Sequence, residues 1–444
     1  MSRPLALALA LLALAPAAVR AADPPSPAAA DPAPSPSARP TAAQAAQPTP
    51  KPEVVYDVAF DARIAPSERV AHVTIRIGRH QDTIRWIRFH ADPSRYTGWT
   101  ADGAMRENGE WIEWVPPKGG GAIRYTLLID HLRDARSYDA RCANDWVLLR
   151  GHDLVPRLRI RHEDFAFSRS TLTFHVPAGW TVVTAEPPER KWTFALTNPR
   201  TKFDRPTDWI VAGRLGVVRE TIAGMKVAIA GPVGHGVRRH DLLAMLRWTL
   251  RRLRPILGTL PERLTIVSAG DPMWRGGLSA PHSFFLHAER PLITPDLTSP
   301  LLHEVMHVVV GAAEDSGSDW IVEGLAEYYS LQLLERSKTV SHRRYERAMR
   351  RLARRGGGVR ALAVPDSAGE ITARAVTVLA ELDQEIRAAT GDEKSLDTVL
   401  ARLAAAPGTI TNARFRALAE EVAGRDLGAF FASRVGKPKQ EKRE

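Results

Sequence analysis

The chain has 444 residues, of which 44% are hydrophobic and 25% charged, a balance that excludes a wholly disordered protein and suffices for two or three domains with sizeable cores. Its net charge is +11, yet only ten of its 61 basic residues are Lys, and the Arg clusters at 238–254 and 343–355 read as polar faces of amphipathic helices. No nucleic-acid motif accompanies that charge, so no nucleic-acid partner is expected, and the one cysteine, Cys142, excludes an internal disulfide.

Residues 1–21 read as a signal peptide. Arg3 precedes an apolar run to about Ala18, and Val19 and Ala21 fill the small-residue positions of a cleavage site. Pro16 interrupts the run, which is short for a membrane span, and no later stretch is apolar enough to be one, so no transmembrane segment is expected after signal removal. The expected location is therefore the exterior, meaning the periplasm if the host is Gram-negative and the extracellular space otherwise. Residues 22–52 are mostly Ala, Pro and Ser. They cannot bury enough apolar surface to offset their ordering entropy and are expected to form a disordered linker.

From 53 to 230 short alternating runs such as RVAHVTIRIG, DTIRWIRFH, GEWIEWVP and STLTFHVP are separated by Gly, Pro and Asp turns. Their period of two predicts an all-β, sandwich-like domain. His152, His162 and His175 are scattered through it and form no cluster. From 231 to 435 the pattern turns mostly helical, broken by strands at ERLTIVSAG and SAPHSFFLHAER; the tail 436–444 is polar. The whole reads as a multidomain α+β protein. Ser299 followed by Pro300 predicts a helix start, with Gly311 as its end, and a second helix is expected from Ser318 or Asp319. Further helices are expected at 341–355, 371–389, 394–405 and 412–433.

The first of these helices carries HEVMH. His303 and His307, four apart, share one helix face and present two imidazoles to one point. Zinc accepts such a pair, takes a third protein ligand, and keeps a position for water when it is catalytic. Glu304 adjoins His303 and can reach that water as a general base. The competing reading is a buried helix, since Leu301, Leu302, Val305, Met306 and Val308 to Val310 surround the motif. Two imidazoles and a carboxylate buried there need a compensating partner, which a metal ion supplies. Glu323, with fifteen residues between it and His307, is the candidate third ligand, and Glu327 shares its face and can accept the free N–H of a ligating His. For Glu327 a solvent-exposed helix charge is the alternative.

HEVMH followed by WIVEGLAEYYS resembles the gluzincin metallopeptidases. TVLAELDQEIRAATGDEKSLDTVLARL, 377–403, and WRGGLSAP, 274–281, are similar to stretches of the glycyl-aminopeptidase family (metallopeptidase family sixty-one), and more distantly the chain resembles the aminopeptidase N family. The resemblance covers 230–435 well and 53–230 in outline. It implies a gluzincin (thermolysin-like) catalytic domain with one zinc held by His303, His307 and Glu323, Glu304 as base, and a peptide or unfolded protein as substrate. Gly276, Gly277 and Ser279 are then candidates for the strand that receives the substrate.

Two positions depart from the pattern. Where the resemblance implies a Tyr that hydrogen-bonds the oxyanion, this chain has Thr372, followed by Arg374 in a Lys place. Removing such a donor lowers rates by about 10²–10³. Arg374, Tyr345, His282 and His287 are the alternative donors. Where a Glu that holds the substrate's amine is implied, the chain has Ser279, which argues for an endopeptidase over an aminopeptidase. Three readings follow: an exported zinc metallopeptidase, a zinc-binding scaffold for extended polypeptides with weak or no catalysis, and a coincidental motif.

Overall fold

The structure is a computed structural model that describes residues 53–436, apart from 198–202, 312 and 407. The expected signal peptide, the linker and the tail beyond Gly436 lie outside the described residues. The architecture is mixed α and β, with a sheet-rich N-terminal region and a helical C-terminal part.

Alternation builds the first region. In strand Val54–Ala65 the side chains of Tyr56, Val58, Phe60, Ala62 and Ile64 are buried while their neighbours are not. This strand pairs in parallel with Ala166–His175 and antiparallel with Val70–Ile77 inside a 7-stranded sheet. A 4-stranded sheet (Arg157–His162, Ile84–His90, Trp111–Val115, Ala104–Asn108) and a 5-stranded one complete the enclosure. All three contribute to one core, with Phe60, Ile75, Phe89, Trp114, Leu149 and Ile210 among its members.

The strand Trp146–Arg150 sits in that 5-stranded sheet, paired antiparallel with Trp209–Gly213. It is buried on both faces. Val147 and Leu149 enter the large core, whereas Trp146 and Leu148 join Trp209, Val211, Val267, Met273 and Phe285 in a second cluster. That second cluster is the apolar joint with the C-terminal part. Full burial of side chains this large contributes about 1.5–3 kcal/mol each.

A second 5-stranded sheet follows, in the order Leu215–Ile222, Met225–Pro232, Arg263–Val267, Ser283–Leu286, Gly277–Ser279. Residue 230, where the sequence texture changes, falls inside one of its strands. Residues 215–230 alternate like the strands before them, but Met225–Pro232 pairs in parallel with Arg263–Val267, and Ile222, Met225, Val227 and Ile229 pack with the helices. Gly277–Ser279 is an edge strand, antiparallel to Ser283–Leu286.

After a single helical turn, α1 (Gly151–Leu154), the helices are α2 (Arg239–Leu257), α3 (Pro300–Val310), α4 (Asp319–Arg336), α5 (His342–Gly356), α6 (Glu370–Thr390), α7 (Leu396–Ala405), α8 (Asn412–Ala423) and α9 (Gly428–Arg434). The stretch 412–433, expected as one helix, is two. Gly424 adopts φ 67° and ends α8, a conformation in which other residues are strained. The apolar faces of α3, α4 and α6 meet in the second large core, where a Cβ added to Gly324 would lie 2.9 Å from the Ala375 Cβ, so α4 and α6 approach closely. No helix among the described residues is long and apolar enough to cross a membrane.

Candidate metal centre and active site

Helix α3 is held at both ends. The Ser299 hydroxyl accepts a hydrogen bond from the Leu302 amide at 3.3 Å, Pro300 occupies the first turn, and Gly311 closes the helix at φ 55°. Its apolar face is buried, which turns His303 and His307 toward α4. There the Nε2 atoms of His303 and His307 lie 3.0 Å apart, and each lies 3.3 Å from a carboxylate oxygen of Glu323. The three ligand atoms fall within 4.8 Å of one another, the only such group of three His, Cys, Asp or Glu among the described residues.

The donor chemistry fits a zinc ion. Two imidazole nitrogens that face each other at hydrogen-bonding distance need a cation or a proton between them, and Glu323 supplies the third, anionic donor. His303 Nδ1–H donates to Glu327 Oε2 at 3.2 Å, which directs the lone pair of its Nε2 toward the group. The other oxygen of Glu327 is buried without a partner. Burial alone would lower the pKa of His303, but Glu323 and Glu327 outweigh it and push the imidazole up to about 10. For Glu323 burial acts upward, yet its hydrogen bonds to His303 and His307 hold the carboxyl well below the usual range. Both shifts express one fact: this spot demands positive charge.

Glu304 is 8% exposed. Burial raises its pKa, and the two imidazoles pull it back. The edge strand lies against it, since a Cβ built on Gly277 would stand 2.4 Å from Glu304 Oε1. Glycine at 277 is thus what lets the strand and the carboxylate coexist. Gly276 is crowded in turn by the Trp274 ring, and Ser279 is an exposed residue at the end of the same strand.

The remaining candidates are engaged elsewhere. Thr372 Oγ1 donates to the Ser367 carbonyl at 3.0 Å, and the Ser367 amide donates to Asp319 Oδ2 at 2.6 Å, so Thr372 ties a loop to the start of α4. Arg374 lies 3.7 Å from Glu381. The Tyr345 hydroxyl accepts from Gln332 at 2.6 Å. His282 sits 3.2 Å from Asp208, and His287, 1% exposed, lies 3.3 Å from Asp271. None of the five is directed at the His–His–Glu group by its contacts.

Sequence reasoning missed Arg150. It ends the strand Trp146–Arg150, lies opposite Trp209, and is one of the charges felt by Glu304. The sequence signal was weak: a cation at the end of an apolar strand run, VLLR.

In sequence, no known family description and no characterised protein matches the chain. In structure it is similar to an aminopeptidase N family protein from Idiomarina loihiensis, with a TM-score of 0.61 and 16% identity over 78% of this chain and 70% of that one. It is likewise similar to an M1 zinc metallopeptidase from Deinococcus radiodurans, with a TM-score of 0.55 and 16% identity over 88% of this chain and 96% of that one. A mutant of the Deinococcus radiodurans enzyme bound to a Tyr-Ser-Ala substrate gives a TM-score of 0.56. These likenesses are of fold.

Proposed function

We propose that this protein is an exported, zinc-dependent peptidase. The observation that carries the reading is the convergence of His303, His307 and Glu323 within 4.8 Å, with Glu304 buried beside them. The fold neighbours, an aminopeptidase N family protein and an M1 zinc metallopeptidase, support it. His303, His307 and Glu323 would hold the zinc ion, which when bound would supply Lewis acidity for a peptide carbonyl and for the attacking water. Glu304 takes the proton of that water and returns it to the leaving nitrogen, a role that burial suits by raising its basicity. Glu327 fixes the orientation of His303.

The edge strand Gly277–Ser279 offers its unpaired side to an extended peptide, and no carboxylate stands at Ser279 to hold a free amine. We therefore favour cleavage of internal bonds, although one fold neighbour is an aminopeptidase N family protein. In this proposal the catalytic unit is gluzincin, includes the sheet from Leu215 and runs to about 435. The stretches at 274–281 and 377–403 favour the glycyl-aminopeptidase family within it, while the fold likeness points to the aminopeptidase N family. The signal-like 1–21 supports export.

A second reading is a zinc-binding scaffold for extended polypeptides. It is favoured by the engagement of Thr372 with Ser367, which leaves no oxyanion donor at that position. Metal content and casein hydrolysis, measured together on the chain without residues 1–21, separate the two. One zinc per chain, with hydrolysis that falls by about 10²–10⁴ in Glu304→Gln while the zinc remains, is expected of the peptidase. One zinc and no hydrolysis of casein or of an unstructured peptide library is expected of the scaffold.

A further inference from the structure

The alternation of strand Trp146–Arg150 decides where Arg150 points. Trp146 and Leu148 face the apolar joint with the C-terminal part, and Arg150 continues that face. Its guanidinium lies over the Trp209 ring at 4.9 Å from the centroid. Trp209, fully buried, donates its Nε1–H to the Leu278 carbonyl at 2.8 Å. Leu278 adjoins Gly277, which touches the Glu304 carboxylate. Arg150 is thereby fixed, through one rigid indole, to the strand that lies on the base.

Yet this cation has no anion. Among the described residues its guanidinium makes no hydrogen bond and no ion pair, and its Nε is buried without a partner. The carboxylates whose charge reaches it are already taken. Asp153 lies 3.4 Å from Arg95, and Asp139 lies 2.5 Å from His131. Glu304 reaches it electrostatically but not within ion-pairing distance. Leaving Nε buried without a partner or a counter-charge is unfavourable, and a planar donor stacked on an aromatic ring is the geometry used to hold a carboxylate edge-on.

We infer that Arg150 is a substrate-binding residue that holds a carboxylate of the bound polypeptide. The inference rests on the peptidase reading of the same site, whose base is Glu304. Two sources share this chemistry, an Asp or Glu side chain near the scissile bond and the terminal carboxylate of a short peptide.

The test uses the zinc-loaded chain without residues 1–21 and internally quenched peptides in matched pairs. One arm exchanges Asp for Asn at each position in turn around the cleaved bond. The other compares free and amidated C-termini. The ratio of kcat/KM within a pair is compared among wild type, Arg150→Gln and Arg150→Lys. Wild type is expected to favour the carboxylate member by about tenfold to hundredfold in one arm, which names the source. Arg150→Gln is expected to bring that ratio near one, and Arg150→Lys to restore part of it. A wild-type ratio near one in both arms overturns the inference, as does a ratio that survives Arg150→Gln. A residue that only braced Trp209 would lower both members equally and leave the ratio in place, which also overturns it. The same pairs are titrated by fluorescence anisotropy against zinc-loaded Glu304→Gln, with and without Arg150→Gln. If no peptide is cleaved by wild type the peptidase reading fails, and the binding ratio then decides the role of Arg150.

Discussion

At the scale of single residues, the site is a set of mutual constraints. Gly277 and Glu304 share a space that admits no Cβ, so Gly277→Ala is expected to displace the carboxylate and lower peptide hydrolysis about tenfold to hundredfold, with one zinc still bound by metal analysis. Glu327 acts on the metal instead. Glu327→Gln is expected to weaken zinc binding about tenfold to hundredfold in a competition with a chelator, because it loosens the partner of His303 Nδ1. How much of this was legible in the sequence depended on distance along the chain. The spacing of His303 and His307 puts two imidazoles on one helix face by periodicity alone, and the burial of Glu304 beside them follows from the valines and leucines around it. The contact of Gly277 with Glu304 joins an edge strand to a helix across 27 residues, and nothing local encodes it. Arg150 was illegible for the same reason, magnified. Its significance lies in a strand register with Trp209, and a single Arg after VLL reads as the end of a strand.

At the scale of elements, the ends of α3 set the position of the metal ligands. Ser299 caps the helix through Leu302, and its own amide donates to Ser330 Oγ on α4 at 3.3 Å. Ser299→Ala is expected to lower the unfolding free energy by about 1 kcal/mol, read from the urea midpoint, and to reduce zinc affinity less than Glu327→Gln does. Caps and breakers were readable: Pro300 and Gly311 marked α3. Gly424 carried a comparable signal for the end of α8, but the apolar periodicity of the residues after it continues the pattern and hid the break. The strands 215–230 were readable as strands and not as members of the second sheet, because alternation gives the period of a strand and not its partner.

At the scale of the whole molecule, the two parts share an apolar joint lined by charge. Glu186, 7% exposed, is pushed up to about 8 by burial, with the charge of Asp208 adding to the shift. Asp208 in turn holds the His282 amide at 2.8 Å and the Ser283 hydroxyl at 2.6 Å. The folded state therefore keeps a proton on Glu186 that the unfolded chain releases near 4.5. Between 4.5 and about 8 the native state binds more protons, so this group's contribution to stability falls as pH rises through that window. Glu186→Gln is expected to leave stability near its wild-type value at pH 4.5 and to raise it by up to a few kcal/mol above pH 8, measured by urea denaturation at both pH values. The joint also limits what can be cut away. A fragment beginning at 231 loses most of two strands of its own sheet and uncovers Phe285 and Val267, and it is expected to lack the near-ultraviolet circular dichroism of the intact chain.

The edge strand Gly277–Ser279 is three residues long. At about 3.3 Å per residue it spans roughly 10 Å, and successive side chains of any chain laid beside it face opposite ways. A polypeptide docked there is read with a stride of two, and over so short a ruler hardly more than one residue in each direction is inspected. Most of the sequence then passes unread. Discrimination in such a groove falls to the few side chains beside it rather than to the backbone ladder.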